Sequence, residues 1–474
     1  MTTSAATGQR AELSDESIDE LRAQLRGEVV TPADPSYDQG RRPYNAMHVD
    51  RPALLIRCTG TADVVEAVKF ARERAIEVTV RGGGHSVAGL SSSDGGMVID
   101  LELMRGVEVD PDARIARVQG GALWGDVDRE AQLFGLATPG GVVSDTGVAG
   151  LTLGGGYGWL RRCYGLSCDN IVEARVVGAD GEVRTASADV NQDLFWAVRG
   201  GGGNFGIATS FTFRVHPVGP VVAFTGVFYR QADAADILRG YREYFRDAPD
   251  EVSPELISIT MPAAESLPPP VHDQECVVLA AVHCGDVEQG MEVMRPLREF
   301  ATPLADISQP MPFVAVQSAF DAFFPRGVLR NYWKSVYLPE LSDEVIDLIA
   351  RKGSERPSPL SLIDIYVHGG AISNVAADES AFGDRSAPYM AAIMGIWDDP
   401  ADDERVIAWV RETTLEIASF GSGSYLNFGG LSDEEATAGV ADAFGPNYGR
   451  LAAIKATYDA DNLFRRNNNI QPAA

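Results

Sequence analysis

The chain of 474 residues is longer than one average hydrophobic core accommodates, so two domains are expected. With 45% hydrophobic and 23% charged residues, it has the composition of an ordinary globular protein. The formal net charge of -27 repels phosphate backbones and anionic lipid headgroups, which argues against nucleic-acid and membrane partners. No apolar run reaches the roughly 18 residues that a membrane span needs. The polar start, residues 1–10, lacks a charged-then-apolar signal pattern, so we expect a cytoplasmic protein.

The first half of the chain alternates short helices and strands. A helix is predicted over residues 14–26, capped by Ser14 or Asp15, and a connector rich in proline and aspartate follows it. Periodicity then predicts helices over 61–74 and 123–134. The predicted strands are 53–58, 77–80, 97–101, 106–109, 115–119, 171–177 and 183–185, the last two forming a hairpin.

After residue 217 the pattern changes to longer strands that alternate with amphipathic helices. The predicted strands are 221–229, 256–261, 276–284, 329–337, 360–368 and 389–397. The predicted helices are 232–246, 287–300, 343–351 and 403–419. This pattern indicates a sheet covered by helices, an α+β second domain.

Three glycine clusters interrupt the first half: Arg81-Gly82-Gly83-Gly84-His85-Ser86, residues 154–158 and residues 199–206. Successive glycines expose backbone N–H groups that can wrap an anionic group closely. One such run beside a histidine is also typical of an ordinary tight loop. Three glycine clusters are more than loop closure needs. They predict that the backbone of each cluster lies close to one large ligand.

The cysteines and histidines point to no metal or disulfide framework. The five cysteines are odd in number and contain no C-x-x-C pair, so structural thiols are expected. The six histidines are scattered, without a metal-binding spacing.

Together these motifs resemble the FAD-linked oxidases of the vanillyl-alcohol oxidase superfamily, specifically the berberine-bridge-enzyme-like group. The similarity runs from about residue 37 to 472. Residues 81–86 resemble the loop whose histidine carries the flavin, and residues 139–158 resemble the segment that passes the isoalloxazine ring. Residues 170–177 and 193–206 resemble the rest of the FAD fold, and residues 458–464 are similar to the closing YDPxNxF signature.

The resemblance implies an α+β, two-domain PCMH-type FAD-binding fold whose antiparallel-sheet substrate domain is covered by helices. The expected segments are an N-terminal helix and connector (1–45), the FAD-binding domain (46–216), the substrate-binding domain (217–425) and a C-terminal segment returning to the FAD domain (426–474). The implied activity is hydride transfer from a small organic alcohol or hydroxylated ring compound to covalently bound flavin. Dioxygen would then accept the electrons and form hydrogen peroxide.

The resemblance also implies which residues bind FAD. They are Arg81, Gly82, Gly83, Gly84, His85, Ser86, Gly89, Pro139, Gly140, Gly141, Ser144, Asp145, Thr146, Gly147, Gly150, Gly154, Gly155, Gly156, Tyr157, Gly158, Ile207, Asn427 and Asn467. Many members carry a second flavin bond through a cysteine in a G-x-C-x-x-x-G segment. Here Val143 occupies that position within residues 141–147, so we expect attachment through His85 only, as an 8α-histidyl bond. Thr146 stands where members shape an oxygen pocket, although it equally fits a turn before Gly147.

The catalytic candidates lie on a strand of the second half. Strict alternation puts Asp364, Tyr366 and His368 on one face, which suits proton removal as hydride leaves but also suits a solvated sheet face. The resemblance favours a pocket role, with Asp364 and Tyr366 as the preferred catalytic pair. It also selects Tyr425 and Asn427 as catalytic-site residues.

Phe428 stands where alcohol-oxidising relatives often place a basic tyrosine, so it leaves the donor open. An amine or alkaloid oxidase is therefore an alternative, because an amine needs no strong base. A flavin-dependent dehydrogenase and a flavin-carrying protein without turnover are further alternatives. The expected partners are a small-molecule substrate and O2, and the chain could be a monomer or a homodimer.

Overall fold

A computed structural model describes residues 13–431 and 437–474, and the start of the chain, residues 1–10, lies outside them. The strands are β1 (Glu28–Val30), β2 (Leu54–Arg57), β3 (Val78–Arg81), β4 (Met97–Asp100), β5 (Val107–Asp110), β6 (Ile115–Gln119), β7 (Leu136–Ala137), β8 (Ile171–Val177), β9 (Val183–Ser187), β10 (Ile207–Arg214), β11 (His216–Pro217), β12 (Val221–Arg230), β13 (Val252–Thr260), β14 (Glu275–His283), β15 (Ala305–Asp306), β16 (Gln309–Pro312), β17 (Arg330–Leu338), β18 (Leu362–Val367) and β19 (Tyr389–Trp397). The helices are α1 (Asp15–Gln24), α2 (Tyr37–Gly40), α3 (Thr61–Glu73), α4 (Trp124–Ala131), α5 (Val148–Leu153), α6 (Arg161–Tyr164), α7 (Gln192–Val198), α8 (Ala234–Arg246), α9 (Val287–Val293), α10 (Phe313–Gln317), α11 (Asp343–Ser354), α12 (Asp403–Ala418), α13 (Thr437–Phe444) and α14 (Tyr448–Tyr458). No helix within these residues is long and apolar enough to cross a membrane.

Two sheets form the first half. One has the order β1-β2-β4-β3, with β2, β4 and β3 parallel. The first three residues of β2, residues 54–56, form a continuous buried apolar run, as is typical of parallel strands covered on both faces. The other sheet, β5-β6-β10-β8-β9, is antiparallel. The first glycine cluster follows β3 directly, so it lies at the carboxyl edge of the parallel sheet.

A large antiparallel sheet, in the order β15-β12-β14-β13-β18-β19-β17, forms most of the second half, and β16 pairs with β12. Its outer face is apolar and packs against helices α8, α11 and α12 in one buried cluster. On the same strands, the side chains that alternate with these lie on the inner face of the sheet and pack against the first half of the chain. This is the sheet covered by helices that the sequence predicts.

The C-terminal segment returns to the first half. Lys455 on α14 is fully buried, and its ammonium donates to the carbonyl of Asn204, in the third glycine cluster, at 2.7 Å. It also forms a 2.6 Å ion pair with Asp459 and donates to the Phe464 carbonyl at 3.0 Å. These contacts fix the last residues of the chain against the glycine cluster.

Most predicted elements are present, with a few corrections. Helix α1 begins where expected, and the Ser14 side chain caps it by accepting the Ser17 N–H at 3.2 Å. The helix predicted over 287–300 ends at Val293, because Pro296 lacks the N–H that an α-helix would use there. Strand β10 and helices α5 and α7 were not predicted.

Candidate active site

A cavity of about 400 Å³ lies between the glycine clusters of the first half and the inner face of the large sheet. All three glycine clusters contribute to its walls. The contributing glycines are Gly82, Gly83, Gly84, Gly154, Gly200, Gly202, Gly203 and Gly206. The prediction that these loops converge on one space is therefore consistent with the structure.

Close backbone packing explains why two of these positions are glycine. A Cβ on Gly83 would overlap the backbone of Gly147, so the first glycine loop and the segment before α5 touch directly. Gly206 has φ of 142°, and a Cβ there would lie 2.6 Å from the Val177 carbonyl oxygen. Side chains at these points would push the loops apart.

His85 lies in this cavity wall and is held on one side by an aromatic ring. Its imidazole stacks on Tyr44, with centroids 3.8 Å apart and planes 15° from parallel. Burial, assisted by the Arg326 charge, lowers the pKa of His85 to about 3, so the ring is neutral. A neutral imidazole has a lone pair free for bond formation.

The residues around the cavity fit an FAD. A Cβ on Gly150 or on Gly203 would meet no protein atom within 4 Å, which leaves room for a ligand against the backbone. The Asn467 Oδ1 and Arg466 Nε atoms are buried without hydrogen-bond partners in the described chain, and both residues line the cavity. Glycine N–H groups and the Arg466 guanidinium are donors that suit a diphosphate, and the Asn467 Oδ1 atom is an acceptor that suits an N–H group of a flavin ring. When bound, FAD supplies hydride acceptance.

Of the predicted cofactor residues, fourteen line this cavity. They are Gly82, Gly83, Gly84, His85, Ser86, Gly141, Thr146, Gly147, Gly150, Gly154, Tyr157, Ile207, Asn427 and Asn467. The others lie behind the wall: Arg81, Gly89, Pro139, Gly140, Ser144, Asp145, Gly155, Gly156 and Gly158.

Some residues behind the wall brace the loops that form it. Arg81 donates to the Ser91 carbonyl at 3.3 Å and lies 3.5 Å from Asp100. The Ser144 hydroxyl and N–H both donate to the Asp321 carboxylate, at 2.5 and 2.8 Å. These contacts connect the flavin loops to neighbouring segments.

No thiol is available for a second flavin bond at the expected place. Val143 lines the cavity there and is buried. Cys163 is not in the wall but belongs to a separate apolar cluster, where it contacts Cys284.

The predicted catalytic residues Asp364, Tyr366, Tyr425 and Asn427 all line the cavity. Along β18, Asp364 and Tyr366 face inward, and every residue of the strand is buried. The alternative of a solvated sheet face is wrong, because Asp364, Tyr366 and His368 are each only 3% exposed.

His368 follows β18 and turns away from the cavity. Its ring stacks on Tyr157 at 4.6 Å, within 2° of parallel, and its Nδ1 lies 3.1 Å from the Ala387 carbonyl. His368 thus supports Tyr157, which is itself a wall residue.

Two charged residues that sequence reasoning missed complete the polar end of the cavity. Glu255 on β13 stands opposite Tyr366 in the register of the sheet, lines the cavity and is 1% exposed. Arg161, fully buried on α6, lies 3.8 Å from the Glu255 carboxylate, and its guanidinium carbon is 5.1 Å from the Tyr366 ring centre. A glutamate among the apolar residues of β13 was a sequence signal that could have identified Glu255 as a site residue. Arg161 gave no such signal, because it reaches the site from α6, which is distant in the sequence.

Burial controls the protonation of these acids. It raises the pKa of Asp364 to about 7, against the opposing effects of a hydrogen bond from Tyr366 and of the Arg161 charge. Burial, together with the nearby Asp364 charge, raises the pKa of Glu255 well above its usual range. Near neutral pH the pair therefore holds at least one proton, and Arg161 balances the remaining carboxylate.

Tyr425 and Asn427 form a hydrogen-bonded pair beside the second glycine cluster. The Tyr425 hydroxyl accepts the Gly156 N–H at 3.1 Å and the Asn427 side-chain amide at 2.8 Å. Phe428 packs edge-on against Tyr425 and Trp333, with centroids 5.0 and 5.6 Å away. The Tyr425 phenol is the ionisable group of this hydrogen-bonded pair, and burial raises its pKa.

The remaining walls are apolar and aromatic. They include Phe224, Phe228, Ile257, Ile259, Val278, Phe320, Phe323, Phe324, Trp333 and Met394. Such walls favour a compact apolar or aromatic ligand with one polar end near Asp364.

Comparison with known proteins shows what this chain is similar to. The family described as FAD binding domain matches residues 52–187, and that described as berberine and berberine like matches residues 424–471. An FAD-linked oxidoreductase of Dictyostelium discoideum is 30% identical over 460 residues, covering 96% of this chain and 97% of its own. The (R)-6-hydroxynicotine oxidase of Paenarthrobacter nicotinovorans is 31% identical over 459 residues, covering 94% of this chain and 97% of its own.

A solved structure agrees with these relatives. The crystal structure of 6-hydroxy-D-nicotine oxidase from Arthrobacter nicotinovorans matches with a TM-score of 0.80 at 27% identity, covering 95% of this chain and 98% of its own. These matches confirm the predicted PCMH-type fold, the FAD cofactor and an oxidoreductase activity. The chain belongs to the berberine-bridge-enzyme-like family of FAD-linked oxidoreductases.

Proposed function

We propose that this protein is an FAD-dependent oxidase acting on a small, largely apolar ring compound that carries a hydroxyl group. The donor loses two hydrogens, one as a proton and one as a hydride that passes to the flavin. Dioxygen then takes up both hydrogens and leaves as hydrogen peroxide. The observation that carries the proposal is the Asp364–Tyr366 pair, placed at the polar end of an otherwise aromatic cavity beside the glycine loops.

Asp364 is the proposed base. Its pKa of about 7 keeps a substantial fraction ionised near neutral pH while making the carboxylate basic enough to take a hydroxyl proton. Tyr366 orients the donor oxygen through its phenol, and the buried Arg161 offsets the negative charge of the acid pair. Glu255 supplies the second carboxyl group, which holds a proton beside Asp364.

The proposed flavin attachment uses the His85 imidazole alone. His85 is neutral and lies in the wall, and Val143 excludes a thioether at the other side. Thr146 also lines the wall, and its small side chain leaves space for dioxygen near the ring. A covalent bond would retain the cofactor and favour hydride acceptance from poor donors.

A cyclic amine is the second candidate donor. The relative from Paenarthrobacter nicotinovorans is named for 6-hydroxynicotine. In this chain, Phe428 offers no base, and the buried carboxyl pair could face a protonated nitrogen. The carboxylate would first take the proton from that nitrogen, and the neutral amine would then lose hydride with help from its own lone pair.

The test is a donor screen on the purified yellow protein. Hydroxylated aromatic compounds, cyclic amines and sugars are mixed with it without air, and the loss of flavin absorbance is recorded before air is admitted. We expect the ring compounds to bleach the flavin and sugars to fail, because the aromatic walls offer few hydrogen bonds to a polyol. Air should restore the colour with one peroxide formed per donor. Bleaching that air does not reverse would contradict the oxidase proposal and indicate a dehydrogenase.

A further inference from the structure

Asp145 faces the imidazole of His85 from behind the cavity wall. The Asp145 Oδ1 atom lies 3.6 Å from the His85 Nε2 atom. Both atoms are buried and lack a hydrogen-bond partner in the described chain. The loop carrying Asp145 is held in place because the adjacent Ser144 binds Asp321 through both its N–H and its hydroxyl.

The imidazole is fixed between this carboxylate and an aromatic ring. Tyr44 stacks on the face of His85, and the Nε2 atom on the edge of the ring lies 3.6 Å from Asp145. With Nε2 directed to the carboxylate, Nδ1 is the other ring nitrogen, and His85 is a residue of the cavity wall.

Arg326 keeps Asp145 usable as a base despite its burial. Its guanidinium lies 3.6 Å from the Asp145 carboxylate and donates to the Asp145 carbonyl at 3.2 Å. Burial raises the pKa of Asp145 and the Arg326 charge opposes that rise, while Asp321 adds to it. Burial, together with the same Arg326 charge, disfavours a charged imidazole, so the ring that faces Asp145 is a neutral histidine.

We propose that Asp145 promotes formation of the His85–flavin bond by accepting the Nε2 proton of His85 as Nδ1 bonds to the flavin methyl carbon. This rests on the histidyl attachment in the proposed function. One C–H and one N–H bond break and one C–N bond forms, which releases two protons and leaves two electrons on the flavin. Dioxygen takes up both electrons and two protons as hydrogen peroxide, which restores the oxidised cofactor.

The test measures attachment rather than turnover. Wild type, Asp145→Asn and His85→Ala are each produced with limited riboflavin, purified, and incubated with FAD in air. Samples are precipitated with acid at intervals, and flavin is measured in the pellet and in the supernatant, with intact mass as a check. Asp145→Asn should bind FAD but attach it on the order of 100-fold more slowly than wild type, the usual contribution of a general base. Asp145→Glu should recover part of the rate.

Asp128→Asn is the matched control, since it removes a buried carboxylate outside the cavity wall and keeps the carboxylate that faces His85. It should attach FAD at nearly the wild-type rate. Equal rates of FAD attachment in wild type and Asp145→Asn would overturn the role of Asp145 but not the histidyl attachment itself. Loss of flavin from both fractions in Asp145→Asn and Asp145→Glu would also overturn it, because Asp145 would then act in binding. Acid release of all flavin from wild type would overturn the histidyl attachment itself, and the inference with it.

Discussion

Gly150 offers a direct test of where the flavin lies. It is the third residue of α5, it is exposed in the cavity wall, and a Cβ there would meet no protein atom within 4 Å. In the flavin-free protein, Gly150→Ala should therefore raise the free energy of unfolding by about 0.5–1 kcal/mol, the gain from alanine over glycine inside a helix.

The same methyl group should weaken cofactor binding, because it projects into the space proposed for FAD. Overpacking of this kind costs about 1–3 kcal/mol, which corresponds to a dissociation constant raised by roughly 5- to 160-fold. The measurement needs exchangeable FAD, so it is made in a His85→Ala background. Flavin fluorescence titration gives the dissociation constant, and thermal unfolding without flavin gives the stability change.

Gly449→Ala is the matched control. Gly449 is also an exposed helical glycine whose Cβ would meet no protein atom within 4 Å, but it is absent from the cavity wall. It should raise stability and leave FAD affinity unchanged. If Gly150→Ala binds FAD as tightly as its parent, the flavin does not lie against α5 and the assignment of the cavity is refuted.

Two further predictions concern buried charges. The value of kcat/KM should rise with pH to a plateau above about pH 7, because the proposed base Asp364 must be ionised and burial raises its pKa to about 7. Asp364→Asn should lower kcat by about 10²- to 10⁴-fold and leave the flavin spectrum intact. Asp128 is a buried acid outside the cavity wall whose pKa is likewise raised to about 7, and Asp128→Asn should change neither kcat nor the flavin spectrum. An unaltered pH profile in Asp364→Asn would contradict the role of Asp364 as the base. Lys455→Met should cost about 3–5 kcal/mol in urea unfolding and reduce flavin content, since it leaves Asp459 buried without its partner. Lys69→Met, which removes an exposed ion pair, should cost less than about 1 kcal/mol, and a similar loss in both variants would contradict the reasoning.

The local sequence was sufficient where one segment carries both the structure and the chemistry. The glycine run before His85 predicts a loop that approaches a ligand, and the structure places it in the cavity wall. Alternation along β18 likewise predicts that Asp364 and Tyr366 share a face. Such short-range patterns follow from backbone geometry, which is readable from neighbouring residues.

The sequence did not predict contacts that join distant segments. The periodicity of β18 was compatible with a solvated face, and only the packing of the first half of the chain against the inner face of the large sheet makes that face the wall of a cavity. The domain limits predicted from the resemblance stay a prediction.

By itself, the sequence determined the α+β class, the glycine loops, the FAD cofactor through its motifs, and the histidine proposed to carry it. Only the tertiary structure brought Arg161 to the Glu255–Asp364 pair and set Asp145 against His85. Burial and electrostatic coupling depend on what surrounds a group in space. For that reason the protonation of the acids and of His85 follows from the folded chain and not from the order of its residues.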